Sequence, residues 1–509
     1  DLVLSLQFNQ PAGVLDMAVD TTADRPLDWT TVITGTHDAG DVITLTHTLT
    51  PTPASIHPCK VYDQSGDTLV GVGKYCTDFG EGTVSYQMFG DGSDGPKPVF
   101  SNETDDPIDA SCSGTAGSYT LAATNASFLA GQKILIHQTQ GTGAGDWEIN
   151  DIADYSAGTI TLAKELDHTY SSSGGNRAQV LVLKEYTDVT VNSGVTWSAK
   201  DWNGTTGGIL AFLAKGTVSI QGTIDASGKG FRGGQGGLRD PNYPGGGYGG
   251  SWSGAYHTAR DSEGTCDPVN GGGGGGGQGR YGGGAGTGGG GAGYGGSGTA
   301  GGGGGCVGGG GTTYGFDDFR ELHLGSGGGG GGKAPYNDPP MSGGSGGDGG
   351  GAVVVFAWDL EVTGNIYSRG NRGSDAVQIP RDECGGGGGG SGGSILLTAA
   401  TASLGSGLVL ADGGGGGAGS KSDQYGGSGG VGRIRIEYCE PWTGSTNPVA
   451  TEEELQCHIV EQVEVEPYNQ AELVLPEPIT DTLTYITQFG RRFEFPAEGQ
   501  QTEALQLTR

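Results

Sequence analysis

The sequence predicts an all-β protein: a β-solenoid whose glycine-rich insertions form a polyglycine II-like bundle, flanked by β-sandwich-like domains. Three observations support this prediction: a strand repeat between residues 176 and 438, glycine tracts that interrupt the repeat, and the absence of helical periodicity. Glycine accounts for 110 of the 509 residues, and most of it lies between about residues 204 and 430. The glycine-rich part is therefore a region with its own structure, since the flanking composition is ordinary.

The repeat consists of an apolar strand, a turn, an alternating strand, a glycine and another short strand. Its clearest copies are "ILAFLAKGTVSIQGTIDASGKG", "AVVVFAWDLEVTGNIYSRGNRG" and "SILLTAATASLGSGLVLADGGGG". The copies superpose with Gly222, Gly364 and Gly407 at one turn, and with Ile224, Ile366 and Val409 two residues later. Such repeats are typical of a solenoid, because one coil buries its inward face only when neighbours stack on it. We therefore expect parallel pairing between successive coils.

Glycine-rich insertions leave the repeat at equivalent points and span residues 229–349, 371–391 and 413–430. Equivalent points on stacked coils lie about 4.8 Å apart, so the insertions should emerge side by side and bond through their main chains. Flexible linkers are the alternative. Cysteines within the tracts and bulky residues that recur singly favour the ordered bundle: Cys266, Cys306, Cys384, Tyr248, Trp252, Tyr256, Tyr281, Tyr294, Tyr314 and Tyr336.

Short strands between turn residues also predict the remaining regions. Residues 1–112 are expected to form a β-sandwich-like domain, and residues 113–175 a small β-barrel or β-roll around the turn-rich "GTGAGDW". The solenoid with its insertions takes residues 176–439. A C-terminal β domain follows at residues 440–509, where polar and apolar residues alternate as they do in strands.

Charge and cysteine content favour an extracellular or cell-surface location. The formal net charge of -31 disfavours nucleic acid and anionic membranes, and no apolar run approaches the roughly 18 residues that span a bilayer. The chain opens without Met or a basic segment, as a processed secreted protein would. Eight cysteines without a C-x-x-C pair predict disulfides, and proximity suggests Cys59 with Cys76, Cys439 with Cys457, and Cys266 with Cys306.

Few residue patterns indicate chemistry. No cofactor is expected apart from a structural calcium ion, for which Asp91 and Asp94 are the first candidates and "ETDDPIDAS" (Asp105, Asp106, Asp109) the second. No catalytic residue is assigned, because the histidines are dispersed. Charged residues near the repeated corner are the ones a solenoid enzyme would use on a polysaccharide, although they can equally form ion pairs: Asp225, Lys229, Arg232, Arg369, Arg372 and Asp412.

The framework segments "ILIHQTQGTGAGDWEI", "AQVLVLKEYTDVTV" and "GGVGRIRIEY" resemble large glycine-rich secreted or cell-surface proteins of environmental bacteria, mostly without assigned function. The resemblance covers about residues 115 to 438. The glycine insertions are also similar to the polyglycine lattices in adhesin tips of some phage tail fibres. That likeness implies a bundle that presents variable loops to a receptor, and neither likeness implies a catalytic residue.

These observations favour a non-enzymatic structural role. We expect a subunit of a self-assembling filament or surface layer, a homo-polymer joined through the flanking β domains. The alternative is a receptor-binding adhesin that stacks a surface glycan on single aromatic residues, namely Tyr248, Trp252, Tyr281 and Tyr294. A β-helix enzyme that degrades polysaccharides is the third possibility.

Overall fold

The computed structural model describes residues 88–237, 287–303, 307–333, 342–377 and 384–455, together with short strands nearer both termini. The chain divides into two compact units. Unit 1 comprises Asp1–Cys59, Lys74–Ser85 and His458–Arg509, and unit 2 comprises Lys60–Gly73 and Tyr86–Cys457. The elements described are β-strands, in agreement with the predicted all-β class. None of the described segments forms a helix of the length and apolarity that crossing a bilayer requires.

The described strands of unit 1 form four antiparallel pairs. Its strands are β1 (Val3–Asn9), β2 (Val14–Asp20), β3 (Gly35–Thr36), β4 (Val42–Ile43), β5 (Ile56–Pro58), β6 (Tyr75–Thr77), β25 (Leu483–Ile486) and β26 (Arg492–Phe495). Strand β1 pairs with β2, β3 with β4, β5 with β6, and β25 with β26. Segments from both chain termini therefore belong to this unit, whereas the predicted N-terminal sandwich stays a prediction.

Unit 2 contains the remaining strands. They are β7 (Gly95–Val99), β8 (Glu103–Thr104), β9 (Asp109–Ser113), β10 (Thr120–Ala123), β11 (Lys133–Gln140), β12 (Trp147–Ser156), β13 (Thr159–Leu162), β14 (Arg177–Val182), β15 (Lys184–Val191), β16 (Thr196–Ser198), β17 (Ile209–Ile220), β18 (Thr223–Asp225), β19 (Ala352–Val362), β20 (Asn365–Tyr367), β21 (Ser394–Leu410), β22 (Arg433–Tyr438), β23 (Thr443–Asn447) and β24 (Thr451–Glu454).

Six of these strands form a closed barrel in the order β10-β13-β12-β11-β14-β9. Alternation along β10 and β13 places one residue in two inside, because successive side chains in a strand point to opposite faces. Strand β11 is buried along its whole length, since it is covered on both sides. The barrel core includes Leu121, Phe128, Ile134, Ile136, Ile160 and Val180.

Successive copies of the repeat pair in parallel and in register. One row of strands runs β7-β15-β17-β19-β21-β22, and a second runs β8-β16-β18-β20-β21. Ile224 pairs with Ile366, and Ile366 with Val409, which confirms the superposition read from the sequence. The register of each copy is thus set by the same turn.

Both faces of the long strands are buried, which explains why "ILAFLA" and "AVVVFA" read as continuous apolar runs. One face forms an interior core in which Trp197 stacks on Phe212 with ring centroids 5.1 Å apart. The opposite face packs against the barrel residues Leu135 and Trp147 and against the first and longest insertion. The barrel and the stacked strands therefore share a hydrophobic core.

The observed boundaries differ from the predicted ones at three places. Strands β7 and β8 precede the barrel in sequence yet pair with β15 and β16 of the stack. Strand β14, predicted to begin the first repeat, closes the barrel instead. At the other end β23 and β24 continue the stack beyond residue 440. The reason is that "GPKPV" and "TEEE" lack the apolar alternation by which a strand is recognised.

The described parts of the glycine insertions are joined by backbone hydrogen bonds, as residues 384–393 show best. Every third N–H group of this segment donates to the same neighbour, and the three neighbours that accept are residues 325–333, 424–430 and 368–374. Its carbonyl groups accept from three more: residues 344–350, 289–292 and 414–417. The period of three places each neighbour on its own side of the segment. The main-chain groups of this segment therefore find protein partners without a hydrophobic core.

The insertions emerge from one corner of the stack, as predicted. Gly228 N–H donates to Arg369 O at 2.9 Å, and Gly370 N–H donates to Asp412 O at 2.8 Å, which links the three departure points. Glycine is required further along the segments, because neighbouring backbones approach where a side chain would stand. A Cβ on Gly388 would overlap the carbonyl oxygen of Gly290. A Cβ on Gly415 would meet no atom within 4 Å.

We expect Gly388→Ala to lower the free energy of unfolding by at least about 2 kcal/mol, because the methyl group must push two backbones apart. Gly415→Ala is the matched control and should change it by less than about 1 kcal/mol, with a small gain from the stiffer unfolded chain. Chemical denaturation of both variants checks this. Equal destabilisation by the two substitutions would contradict the close packing of the glycine segments.

Candidate binding surface

The ends of the glycine segments that lie away from the stacked strands meet at one side of unit 2, which we call the distal end. Gly237 N–H donates to Gly331 O, and Gly332 N–H donates to Thr287 O. The contacts continue around the remaining segments: Gly385 to Gly332, Gly386 to Gln424, Gly302 to Tyr425, Gly308 to Gly288, Val377 to Ser342, and Ala376 to Ala418. The distal end thus gathers one end of every described glycine segment.

Five of the interruptions between these segments join segment ends that lie at the distal end. Residues 238–286, 304–306, 334–341 and 378–383 connect segment ends that lie there and are themselves outside the described residues. The fifth interruption, residues 420–425, is described. It contains a turn in which Lys421 N–H donates to Gln424 Oε1 at 3.1 Å and Gln424 N–H donates to Lys421 O at 3.0 Å.

Tyr425 supplies an exposed aromatic ring at the distal end. Its side chain is 54% exposed, whereas the neighbouring Gln424 is fully buried. The Tyr425 carbonyl accepts a hydrogen bond from Gly302 N–H at 2.7 Å, so the residue is fixed to the bundle through its backbone. Sequence reasoning missed it, although the signal of a single aromatic within a glycine tract was present.

The prediction that Tyr294 is an exposed sugar platform is wrong. Tyr294 is fully buried, its ring lies 5.0 Å from that of Tyr314, and its hydroxyl bonds Ser394 Oγ at 2.8 Å. Burial raises the pKa of Tyr294 to about 12. The ring fills space between the bundle and the stacked strands, which a count of aromatics cannot reveal. The other predicted aromatics lie outside the described residues: Tyr248, Trp252, Tyr256, Tyr281 and Tyr336.

The segment 312–324 anchors the bundle to the barrel. Trp147 Nε1–H donates to Phe319 O at 2.9 Å, and Leu322 N–H donates to Gly145 O at 2.8 Å. His137 Nε2 bonds Leu322 O at 2.6 Å. Burial lowers the pKa of His137 to about 4, although the bond to Leu322 O opposes the shift. The bundle is therefore braced at the end opposite to the distal end.

The predicted calcium ligands Asp91 and Asp94 are engaged with protein groups. Asp91 Oδ1 accepts a hydrogen bond from Ser93 N–H at 2.7 Å. Asp94 Oδ1 pairs with the Lys184 ammonium at 2.7 Å, and its Oδ2 accepts from Glu185 N–H at 2.9 Å. The Asp94 carboxylate therefore stabilises the junction of β7 and β15 through direct bonds, whereas the Asp91 carboxylate bonds within its own turn.

The second acidic cluster is likewise compensated. Asp106 and Asp109 share the Lys200 ammonium at 2.8 and 3.1 Å, and burial raises the pKa of Asp105 to about 6. Within the described ranges no group of three His, Cys, Asp or Glu residues could hold a metal ion. A calcium site at these aspartates is thus not assembled by the described residues.

The charged residues of the repeated corner form local pairs. Lys229 pairs with Asp201 at 2.5 Å, Arg369 with Asp412 at 3.4 Å, and Arg372 with Asp375 at 2.5 Å. Asp225 Oδ1 accepts from Ser227 N–H at 2.8 Å, and the Arg232 side chain is exposed. Arg369 also lies 4.0 Å above the Tyr367 ring. The contacts of Lys229, Arg369 and Arg372 are those of ion pairs that neutralise a surface.

Two of the three predicted disulfides have one cysteine among the described residues. Cys439 is disulfide-bonded, and Cys76 lies in β6 opposite His57. Cys112 is a buried free thiol in the barrel core, and burial raises its pKa. The other cysteines named in the predicted pairs lie outside the described residues: Cys59, Cys266, Cys306 and Cys457.

We expect the contribution of His137 to the free energy of unfolding to fall as the pH drops from about 6.5 to about 4, because the unfolded chain binds a proton at His137 that the folded barrel does not bind. The contribution of this group amounts to about 3 kcal/mol across that window. His137→Gln should remove this part of the pH dependence. Thermal unfolding from pH 7 to pH 4 checks it, and parallel curves for variant and parent would contradict the assignment.

Comparisons with known proteins assign the chain to no family. No protein-family model matches it, and no curated protein does. Among solved structures, it is similar in part to the Gp54 tailspike of Acinetobacter baumannii bacteriophage AP22, whose structure is in complex with A. baumannii capsular saccharide. The match has 11% identity and a TM-score of 0.15, and covers 26% of this chain and 30% of the tailspike chain.

Proposed function

We propose that the protein is an extracellular, non-enzymatic scaffold that presents the distal end of its glycine bundle to a ligand, with a surface glycan as the ligand class. In this proposal the stacked strands are a β-solenoid, and the glycine segments are a polyglycine II-like bundle. The carrying observation is that five interruptions of the glycine segments join segment ends that lie at the distal end. A rigid scaffold that gathers several of its loops on one surface is suited to recognition.

The chemistry of the interruptions supports a glycan. Their sequences contain tyrosine and tryptophan, whose rings stack on the apolar faces of sugars and carry a polar group for hydrogen bonding. Tyr425 shows that the bundle can hold such a ring exposed and fixed by its backbone. The net charge of -31 repels acidic polysaccharides over long distances. A neutral glycan is therefore the favoured ligand.

Rigidity of the presenting surface would contribute to affinity. Two hydrogen-bonded lattices, the strand ladder and the glycine bundle, hold the segment ends before a ligand arrives. Binding then costs less conformational entropy than it would on a flexible tract. This supports recognition over the linker alternative.

A polysaccharide-degrading activity has less support. Catalysis by carboxylates needs groups held beside a substrate with protonation states suited to proton transfer. At the repeated corner Lys229 and Arg372 each lie 2.5 Å from a carboxylate, and Arg369 lies within 4 Å of one. Incubation with uronate polymers should accordingly release no product.

The second candidate is a subunit of a filament or surface layer, and the composition of unit 1 favours it. That unit combines segments from both chain termini, as a connecting module would. The described ends of the strand stack are poor contacts for direct stacking of copies. Strand β7 carries Pro96 and Pro98, which lack N–H donors, and β24 carries three consecutive glutamates, Glu452 to Glu454. Any polymer would therefore join through unit 1.

We expect a glycan array to show saturable binding that Tyr425→Ala weakens roughly fivefold in Kd, the effect of about 1 kcal/mol of lost stacking. Tyr119→Ala is the matched control, because Tyr119 is also 54% exposed but belongs to the barrel region. It should bind as the parent does. Absence of binding to every glycan, or equal weakening by both substitutions, would overturn the proposal.

Deletion of residues 458–509 tests the second candidate while leaving β23, β24 and Cys457 in place. If the C-terminal segment of unit 1 joins subunits, electron microscopy should show polymers of the full chain and none of the shortened chain. If the presenting role alone is correct, both chains stay monomeric and retain glycan binding. Polymers of the shortened chain would exclude the tail as the connector.

A further inference from the structure

A lysine and an aspartate face each other across the open end of the β11–β12 hairpin. Lys133 pairs with Asp151 in the antiparallel register, and Lys133 Nζ lies 2.7 Å from Asp151 Oδ1. The lysine side chain is only 9% exposed and that of the aspartate 31%. A buried lysine amine loses hydration of its charged form, which favours the neutral, nucleophilic form.

A third group, Glu185, belongs to the same neighbourhood. Leu183 N–H donates to Lys133 O at 2.8 Å, which brings the start of β15 beside the lysine. Glu185 is buried, and burial raises its pKa to about 7, although the Lys133 ammonium opposes the rise. The charge of Asp151 also acts to raise it. A carboxyl group that is partly protonated at neutral pH therefore lies within electrostatic reach of the pair.

We propose that Lys133 and Asp151 condense into an intramolecular amide crosslink, with Glu185 as the acid–base group of the reaction. One proton moves from the Lys133 ammonium to the Asp151 carboxylate. The neutral Nζ then attacks Asp151 Cγ, a C–N bond forms, and one C–O bond breaks as the hydroxyl group leaves in a water molecule. The Lys133 ammonium and the Asp151 carboxylate together contain the atoms of the amide and one water, so the step needs no oxidant or other reactant. Glu185 protonates the departing oxygen and recovers a proton from the nitrogen.

The crosslink would fasten the barrel where it meets the stacked strands. The turn of the hairpin lies at residues 141–146, so Lys133 and Asp151 join the two strands at the opposite end. Strand β11 also pairs with β14, which leads directly into β15 of the stack. A covalent bond here would keep β12 in place when β11 is pulled. The proposal is independent of the presenting function.

Burial distinguishes this pair from other lysine–aspartate contacts. Lys184 and Asp94 are also 2.7 Å apart, but the Lys184 side chain is 41% exposed, against 9% for Lys133. Water keeps the exposed Lys184 amine ionised, and an ammonium group has no lone pair with which to attack a carboxyl group. Lys184 therefore provides a matched control at the same distance.

The test is the intact mass of the full, reduced and denatured chain. We expect it to be lower than the sequence mass by one water, and peptide mapping should find residues 133 and 151 in one linked fragment. Lys133→Arg keeps the positive charge but cannot condense, and Glu185→Gln removes the acid, so both should have the full mass of their sequences. Lys184→Arg should lose one water like the parent.

A parent chain with its full sequence mass would overturn the crosslink, and this measurement does not depend on whether any variant folds. A Glu185→Gln chain that still loses one water would overturn the role of Glu185. Thermal unfolding gives a second readout. Lys133→Arg should unfold at a lower temperature than the parent, by more than Lys184→Arg does, and equal values for the two would contradict a covalent link.

Discussion

The structure depends on main-chain hydrogen bonding between glycine segments that have no side chains to keep them apart. An N–H or C=O group that is buried without a partner costs free energy comparable to a lost hydrogen bond. Residues 384–393 meet this requirement by donating to three neighbours and accepting from three others. Only glycine permits the approach, as the overlap of a Cβ on Gly388 with Gly290 shows. The usual entropic cost of ordering glycine is offset by this dense bonding.

The stacked strands make the bundle possible, because glycine segments alone carry no information about register. Each copy of the repeat delivers its insertion at the same corner, and the contacts of Gly228 with Arg369 and of Gly370 with Asp412 hold the departure points together. At the same end Tyr294, Ser394 and Trp147 connect the bundle to the strands and to the barrel. The other ends of the glycine segments lie together at the distal end.

Much of the repeat was predictable, because its apolar strands and turn glycines recur at fixed spacing, and Ile224, Ile366 and Val409 indeed pair in register. Other features leave no sequence signal. The proline-containing strand β7 reads as a turn, yet pairs with β15. Tyr294 reads as an exposed ring among glycines, but it fills a gap that exists only once barrel and bundle meet. The contact of Lys133 with Asp151 likewise depends on hairpin register, which spacing alone does not fix.

Amide hydrogen exchange of the full chain, read by mass spectrometry over residues 384–393, tests the central claim most directly. If the glycine segments form a bonded lattice, these amides should exchange as slowly as those of β19, which lies in the middle of the strand stack. Exchange at the rate of an unstructured glycine peptide, while β19 stays protected, would contradict the account.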